Sequence, residues 1–257
     1  MLKNQLRNIV ALTLLMAGMV LLVGETTAAA KKSGNKLSAA EKRQGWQLMF
    51  DGKSFTNWRG YNRQDIPPVW IIDNGTIKVD AASRIEGDRA STGDIIFDKQ
   101  FKNFEFAFEW MISERGNSGI FFYGQEIEGR PIYRSAPEYQ LLDNANHPDA
   151  KQGKDNNRMA ASLYDMIPAI PQNAKPFMQW NSGKIVVNNG KVEHHQNGVK
   201  VVEYTLWTPE WHNLIENSKF KGWAEMIDVG GEKRQGYIGL QYHGDDIWFR
   251  NLKIREL

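Results

Sequence analysis

The densest run of groups able to move protons is Glu138-Tyr139-Gln140-Leu141-Leu142-Asp143, followed by His147-Pro148-Asp149. In an extended strand, residues two apart share a face, so Glu138 and Gln140 stand side by side as a carboxylate and an amide. Asp143 has the opposite parity and joins them only if the strand ends or bulges there. Sandwich-fold glycosidases that retain configuration set two carboxylates about 5 Å apart. Gln140 in the middle position argues against that arrangement here. A second group is Gln241-Tyr242-His243-Gly244, in which Gly239, Gln241 and His243 share a face. A histidine beside a glycine turn titrates near neutral pH and can serve as base, acid or ligand. His194 and His195 are adjacent in a strand pattern, so one ring can enter a pocket while the other meets solvent. Each histidine also has the plain reading of a surface or hydrogen-bonded core group. Arg250 shares parity with Leu252 and Ile254, and an arginine on an apolar face must be paired. It either braces a carboxylate such as Glu138 or binds a substrate oxygen. Asn117-Ser118-Gly119 reads as a turn whose backbone could line a site.

The elements that must hold these groups are mostly strands. Phe104, Phe106, Phe108 and Trp110 alternate with Glu105, Ala107 and Glu109 over 103–113, which gives one face of that strand an aromatic wall. Asn189-Gly190 and Asn197-Gly198 divide 184–204 into a three-strand meander. The C-terminus adds strands over 237–243 and 247–255, joined across Gly244-Asp245-Asp246. Helix signals are few: Ser38 with Glu41 three residues on, and Thr208-Pro209 opening 209–217. Many short strands with glycine turns predict an all-β jelly-roll sandwich of two antiparallel sheets with short helices. The irregular stretch 143–176 reads as a loop that walls a pocket, anchored by Leu163-Tyr164 and Met166-Ile167. Of the nine tryptophans, Trp46, Trp110 and Trp248 fall within strand patterns and are assigned to the core.

Composition narrows the setting. Lys3 and Arg7 precede the apolar stretch 9–23, and Ala28-Ala29-Ala30 follows, the order of a cleavable secretory signal over 1–30. The apolar stretch is shorter than the ~20 residues that span a bilayer. The expected location is therefore periplasmic or secreted, without stable membrane insertion after cleavage. Residues 31–44 form a linker and short helix, and 45–257 one domain. The chain has no cysteine, so burial must supply the stability in an oxidising compartment. Past residue 30 there are 30 basic and 29 acidic side chains, a balance without the footprint of a nucleic-acid binder. No P-loop, dinucleotide fingerprint, nucleophile elbow or His-Glu-x-x-His is present.

Taken in order, several fragments resemble the 3-keto-disaccharide hydrolase family. They are Gly45 to Gly52 with Trp58, Asn117-Ser118-Gly119-Ile120, Glu138 to Asp143, Ser162-Leu163-Tyr164-Asp165 and Trp180-Asn181. Val192-Glu193-His194 with Asn197-Gly198, Ser218-Lys219-Phe220, Gly239 to Gly244 and Phe249-Arg250-Asn251-Leu252 complete the set. The resemblance implies a concanavalin A-like sandwich and a small carbohydrate substrate already oxidised at C3, which an upstream sugar 3-dehydrogenase must supply. It groups Glu138, Gln140, Asp143, Tyr164, His194, His243 and Arg250 as a pocket. A C3 ketone acidifies the C2 proton, so a base can form an enolate that expels the C1 substituent, after which water adds. His194 or His243 is the expected base and Glu138 or Tyr164 the proton donor. Gln140, Arg250 or a divalent cation would hold the enolate oxygen, and Asn117 and Gln241 would contact substrate. Direct hydrolysis, a non-catalytic carbohydrate-binding module and a conventional glycosidase stand as alternatives.

Overall fold

The computed structural model describes residues 34–257; the expected signal over 1–30 lies outside them. In chain order the elements are α1 (Ala39–Arg43), β1 (Gln47–Leu48), β2 (Trp58–Gly60), β3 (Trp70–Asp73), β4 (Thr76–Val79), β5 (Ile95–Phe101), β6 (Phe104–Ile112), β7 (Asn117–Gly124) and β8 (Glu138–Leu142). They continue as β9 (Asn181–Asn188), β10 (Lys191–Gln196), β11 (Val199–Thr205), α2 (Pro209–Glu216), α3 (Ala224–Ile227), β12 (Gly236–Leu240) and β13 (Ile247–Glu256). The larger antiparallel sheet runs β11-β10-β9-β6-β13-β4-β3, with β1 pairing the C-terminal half of β13. The smaller runs β2-β5-β12-β7-β8. This is the expected two-sheet sandwich, and the described residues, 34–257, form one compact unit. Among the described residues no helix is long and apolar enough to cross a membrane.

Alternation builds the core. Phe104, Phe106, Phe108 and Trp110 point inward from β6, joined by Ile185 and Val187 of β9 and Phe249 and Ile254 of β13. They meet Ile120 and Phe122 of β7, Tyr139 and Leu141 of β8, and Ile238 and Leu240 of β12. Each such side chain, fully buried, is worth about 1.5–3 kcal/mol. The two expected helices, α1 and α2, start where predicted: Ser38 and Glu41 form a capping box, and Thr208 accepts from the Trp211 N–H (3.2 Å). Asn189-Gly190 and Asn197-Gly198 all take positive φ, the two-residue turns that the meander requires.

Three expectations need correction. Strand β12 ends at Leu240 and belongs to the smaller sheet, whereas β13 lies in the larger, so Gly244-Asp245-Asp246 carries the chain between sheets and closes no hairpin. Trp46 and Trp248 lie outside the core on the larger sheet's outer face. There Lys253 and Arg255 cover Trp46, and Lys78 covers Trp248. The third is His194, which sits between the sheets with no exposed surface. Its ring packs against Tyr139 (4.9 Å between centroids), Tyr204 and Phe122. Its Nδ1 lies 2.9 Å from the Ala161 carbonyl, to which it donates, and its Nε2 has no partner among the described residues.

Burial pulls the His194 pKa from 6.5 down to about 4, because a charged imidazole has nothing there to replace its water. The unfolded chain therefore takes up this proton first as pH falls. Stability is intact above about pH 6.5 and is lost between 6.5 and 4, by on the order of 3 kcal/mol. Denaturant unfolding between pH 7 and 4 should show this loss, and His194→Phe should flatten that part of the curve. An unchanged slope in the variant would contradict the assignment.

Candidate active site

The smaller sheet's outer face is divided in two. At one end Ile96, Phe121, Ile132 and Ala136 form a second apolar cluster under the chain that links β7 to β8. Arg59 fastens that chain by a bidentate pair to Glu126 (2.6 and 2.8 Å) while also holding Asp98. At the other end is a cleft of about 140 Å³ lined by Asn117, Glu138, Gln140, Gln241 and His243, with Tyr133, Tyr164, Lys219 and Phe220 as walls.

The cleft floor follows from register. Gly119 of β7 pairs with Gln140 of β8, and the N–H of Gln241, the residue after β12, donates to the Gly119 carbonyl (3.0 Å), so Gln241, Gly119 and Gln140 form one row. The middle position has no side chain. Glu138 fills the gap: a Cβ on Gly119 would lie 2.4 Å from Glu138 Oε1. The carboxylate thus lies between two amides, and the Gln241 side chain hydrogen-bonds to it. The Gln140 Oε1 accepts from the Leu141 N–H (3.1 Å), which leaves its Nε2 donor free; Gln241 Oε1 is likewise free.

Desolvation raises the Glu138 pKa well above the usual carboxylate range, and the nearby charges of Asp94 and Asp149 push the same way. Lys219 and the Gln241 hydrogen bond offset only part of this. Lys219 is itself lowered by desolvation. Its ammonium lies 4.0 Å from the centre of the Tyr164 ring. The wall behind it is braced: Tyr164 donates to Asp149 Oδ2 (2.8 Å), Arg158 bridges Asp149 and Asp165 (2.8 and 2.6 Å), and Asp165 accepts from the Lys219 N–H (2.8 Å). The stretch 143–176 therefore does wall the cleft, with Leu163 bridged to Tyr139 and Ile167.

Of the residues expected from sequence, Glu138, Gln140, Gln241, His243, Asn117 and Tyr164 meet in this cleft, with His243 on its exposed rim. Three do not. His194 is on the core side, against Tyr139, whose side chain leaves β8 opposite to Glu138. It cannot reach a substrate in the cleft. Arg250 is on the larger sheet's outer face, paired with Glu109 (2.8 Å) and stacked 3.8 Å over Trp180. The parity argument failed because β13 bulges between Arg250 and Lys253, with Asn251 at φ 53°, and one extra residue reverses the faces. Asp143 follows the end of β8 and accepts from Arg115 N, Ala145 N and Asn146 Nδ2, which organises a turn outside the cleft. Lys219 and Phe220, quoted above only as part of a fragment, and Tyr133 line the cleft without having been given a role. Asp94 was also missed: it accepts from the Tyr242 N–H (2.8 Å), and desolvation pushes it up to about 7, but it lies outside the lining. No three His, Asp or Glu side chains converge on a common point among the described residues.

Residues 45–255 match the model of the 3-keto-alpha-glucoside-1,2-lyase-like domain. A 3-keto-disaccharide hydrolase of Bacteroides thetaiotaomicron is 50% identical over 228 residues, covering 83% of this chain and 79% of its own. Among solved structures, a candidate glycosyl hydrolase of Parabacteroides distasonis superposes with a TM-score of 0.75 at 29% identity, over 87% of this chain and 99% of its own. A second from the same organism, at 23% identity and a TM-score of 0.63, shares the fold over 82% of this chain and 99% of its own. The extent of these matches, from the first strand to the last, means that the chain belongs to the 3-keto-alpha-glucoside-1,2-lyase-like family.

Proposed function

We propose that this protein is an exported enzyme that cleaves the glycosidic bond of 3-oxidised glycosides, by removal of the C2 proton, loss of the C1 substituent and addition of water. The observation that carries the reading is the cleft floor: one desolvated carboxylate flanked by an unfilled amide donor on Gln140 and an unfilled amide acceptor on Gln241. Sugar hydroxyls both donate and accept, so a pyranose satisfies both amides while its ring lies over Glu138. The relative's name, 3-keto-disaccharide hydrolase, supports the same substrate class.

Among the described residues Glu138 is the only carboxylate lining the cleft, which disfavours the two-carboxylate mechanism of conventional glycosidases. With its pKa raised, it can take the C2 proton and, after exchange with solvent, deliver one to C2 as water adds. His243 on the rim is the donor to the departing oxygen; the Tyr164 hydroxyl is already committed to Asp149. The substrate must be oxidised at C3 beforehand by a separate dehydrogenase. Export rests on the charged, apolar and small-residue order of 1–30. N-terminal sequencing of protein recovered from the periplasm or medium should begin at Lys31, and an intact Met1 would argue against cleavage.

Kinetics with one glycoside in native and 3-oxidised forms tests the activity. Turnover of the oxidised form alone is expected; turnover of the native form would favour a conventional glycosidase, and binding without turnover a carbohydrate-binding module. Glu138→Gln should lower kcat on the oxidised form by ~10²-fold or more, and a change within twofold would remove Glu138 from the chemistry.

A further inference from the structure

We propose that Lys219 is the cation that receives the charge developing on the substrate's C3 oxygen, an inference that rests on the proposed cleavage of 3-oxidised glycosides. Arg250, the basic side chain expected in that role, is paired with Glu109 on the other sheet. Among the described residues Lys219 is the only lysine or arginine that lines the cleft. Its position is built rather than incidental. Asp165 holds its backbone N–H at 2.8 Å, Arg158 holds Asp165, and the Tyr164 ring lies 4.0 Å beneath its ammonium. That ammonium has no hydrogen bond or ion pair with any described residue, so its three donors are free for a ligand. A desolvated, unpaired cation aimed into a cleft is costly to keep unless a ligand completes it.

The carboxylates and the aromatic face around Lys219 are groups that an ammonium pairs with. Desolvation lowers the Lys219 pKa and Arg158 adds to it, while Glu138, Asp165, Asp149 and the Tyr164 π face offset part of this. Placed in the cleft with no partner for its donors, the ammonium can meet an oxyanion that develops on a bound ring. In the step itself the C2–H bond breaks and its proton passes to the Glu138 carboxylate. The electron pair forms C2=C3, and the carbonyl π pair moves onto the C3 oxygen, 3-oxyanion to Lys219 ammonium. The pair then returns to re-form the ketone as C1=C2 forms and the C1–O bond breaks, its electrons leaving with the oxygen that His243 protonates. Lys219 is not consumed, and no oxidant or reductant is needed.

The test compares wild type, Lys219→Met and Lys219→Arg on a 3-oxidised glycoside, with far-UV circular dichroism to establish folding. Because the charge develops only in the transition state, Lys219→Met should lower kcat by about 100-fold or more with KM within about threefold, and Lys219→Arg should retain at least tenfold more activity than the Met variant. A kcat for the Met variant within threefold of wild type would overturn the inference and leave the activity standing. A borohydride-stable adduct on Lys219, formed only with substrate, would overturn it in favour of a covalent imine. Failure of the wild type to act on any 3-oxidised glycoside would overturn the activity and the inference together.

Discussion

The site depends on a missing side chain. A row of residues across β12, β7 and β8 would ordinarily cover the smaller sheet's outer face, but Gly119 leaves its centre open and the Glu138 carboxylate lies there between Gln241 and Gln140. Any Cβ at 119 would contact that carboxylate at 2.4 Å. The gap therefore fixes where the acid is, and the sheet beneath fixes that it is dry. From this follow its raised pKa, the two unfilled amide atoms beside it and the place a ring must occupy to fill them.

The remainder of the chain keeps that spot rigid and partly closed. The sandwich core holds β7, β8 and β12 in register from below, and the Ile96, Phe121, Ile132 and Ala136 cluster seals the far half of the same face. From above, the Asp149, Arg158 and Asp165 bridge ties the stretch 143–176 to itself, and through Asp165 it reaches Lys219 in a loop distant in sequence. A cation network at partial burial costs side-chain entropy and desolvation. Here the network holds a carboxylate, Glu138, and an ammonium, Lys219, in one cleft without a direct pair between them.

Much of this was legible in the sequence because strand parity is a strong constraint. The aromatic alternation of β6, the Asn-Gly turns and the shared face of Glu138 and Gln140 all follow from a period of two. Parity also states that two residues share a face without saying which face is core. For His194 the missing hint was Val192, two residues earlier on the same side and equally buried, which marks that face as apolar. For Arg250 the parity itself was broken by the bulge at Asn251, and a single Asn at positive φ carries no distinctive sequence signal. Lys219 lies in a loop after α2, where no periodicity applies. Its only trace was the fragment Ser218-Lys219-Phe220, which became meaningful once Asp165 was found holding it.

The central claim is that Glu138, seated over Gly119, moves the C2 proton of an oxidised sugar. The most direct measurement is cleavage of a 3-oxidised glycoside in D₂O, with deuterium at C2 of the released sugar followed at early times in wild type and in Gly119→Ala. One deuterium at C2 in the wild-type product is expected, formed at least about tenfold more slowly by the folded variant whose carboxylate has been pushed aside. A product that keeps its C2 hydrogen would contradict the account and assign the bond cleavage to direct hydrolysis at C1.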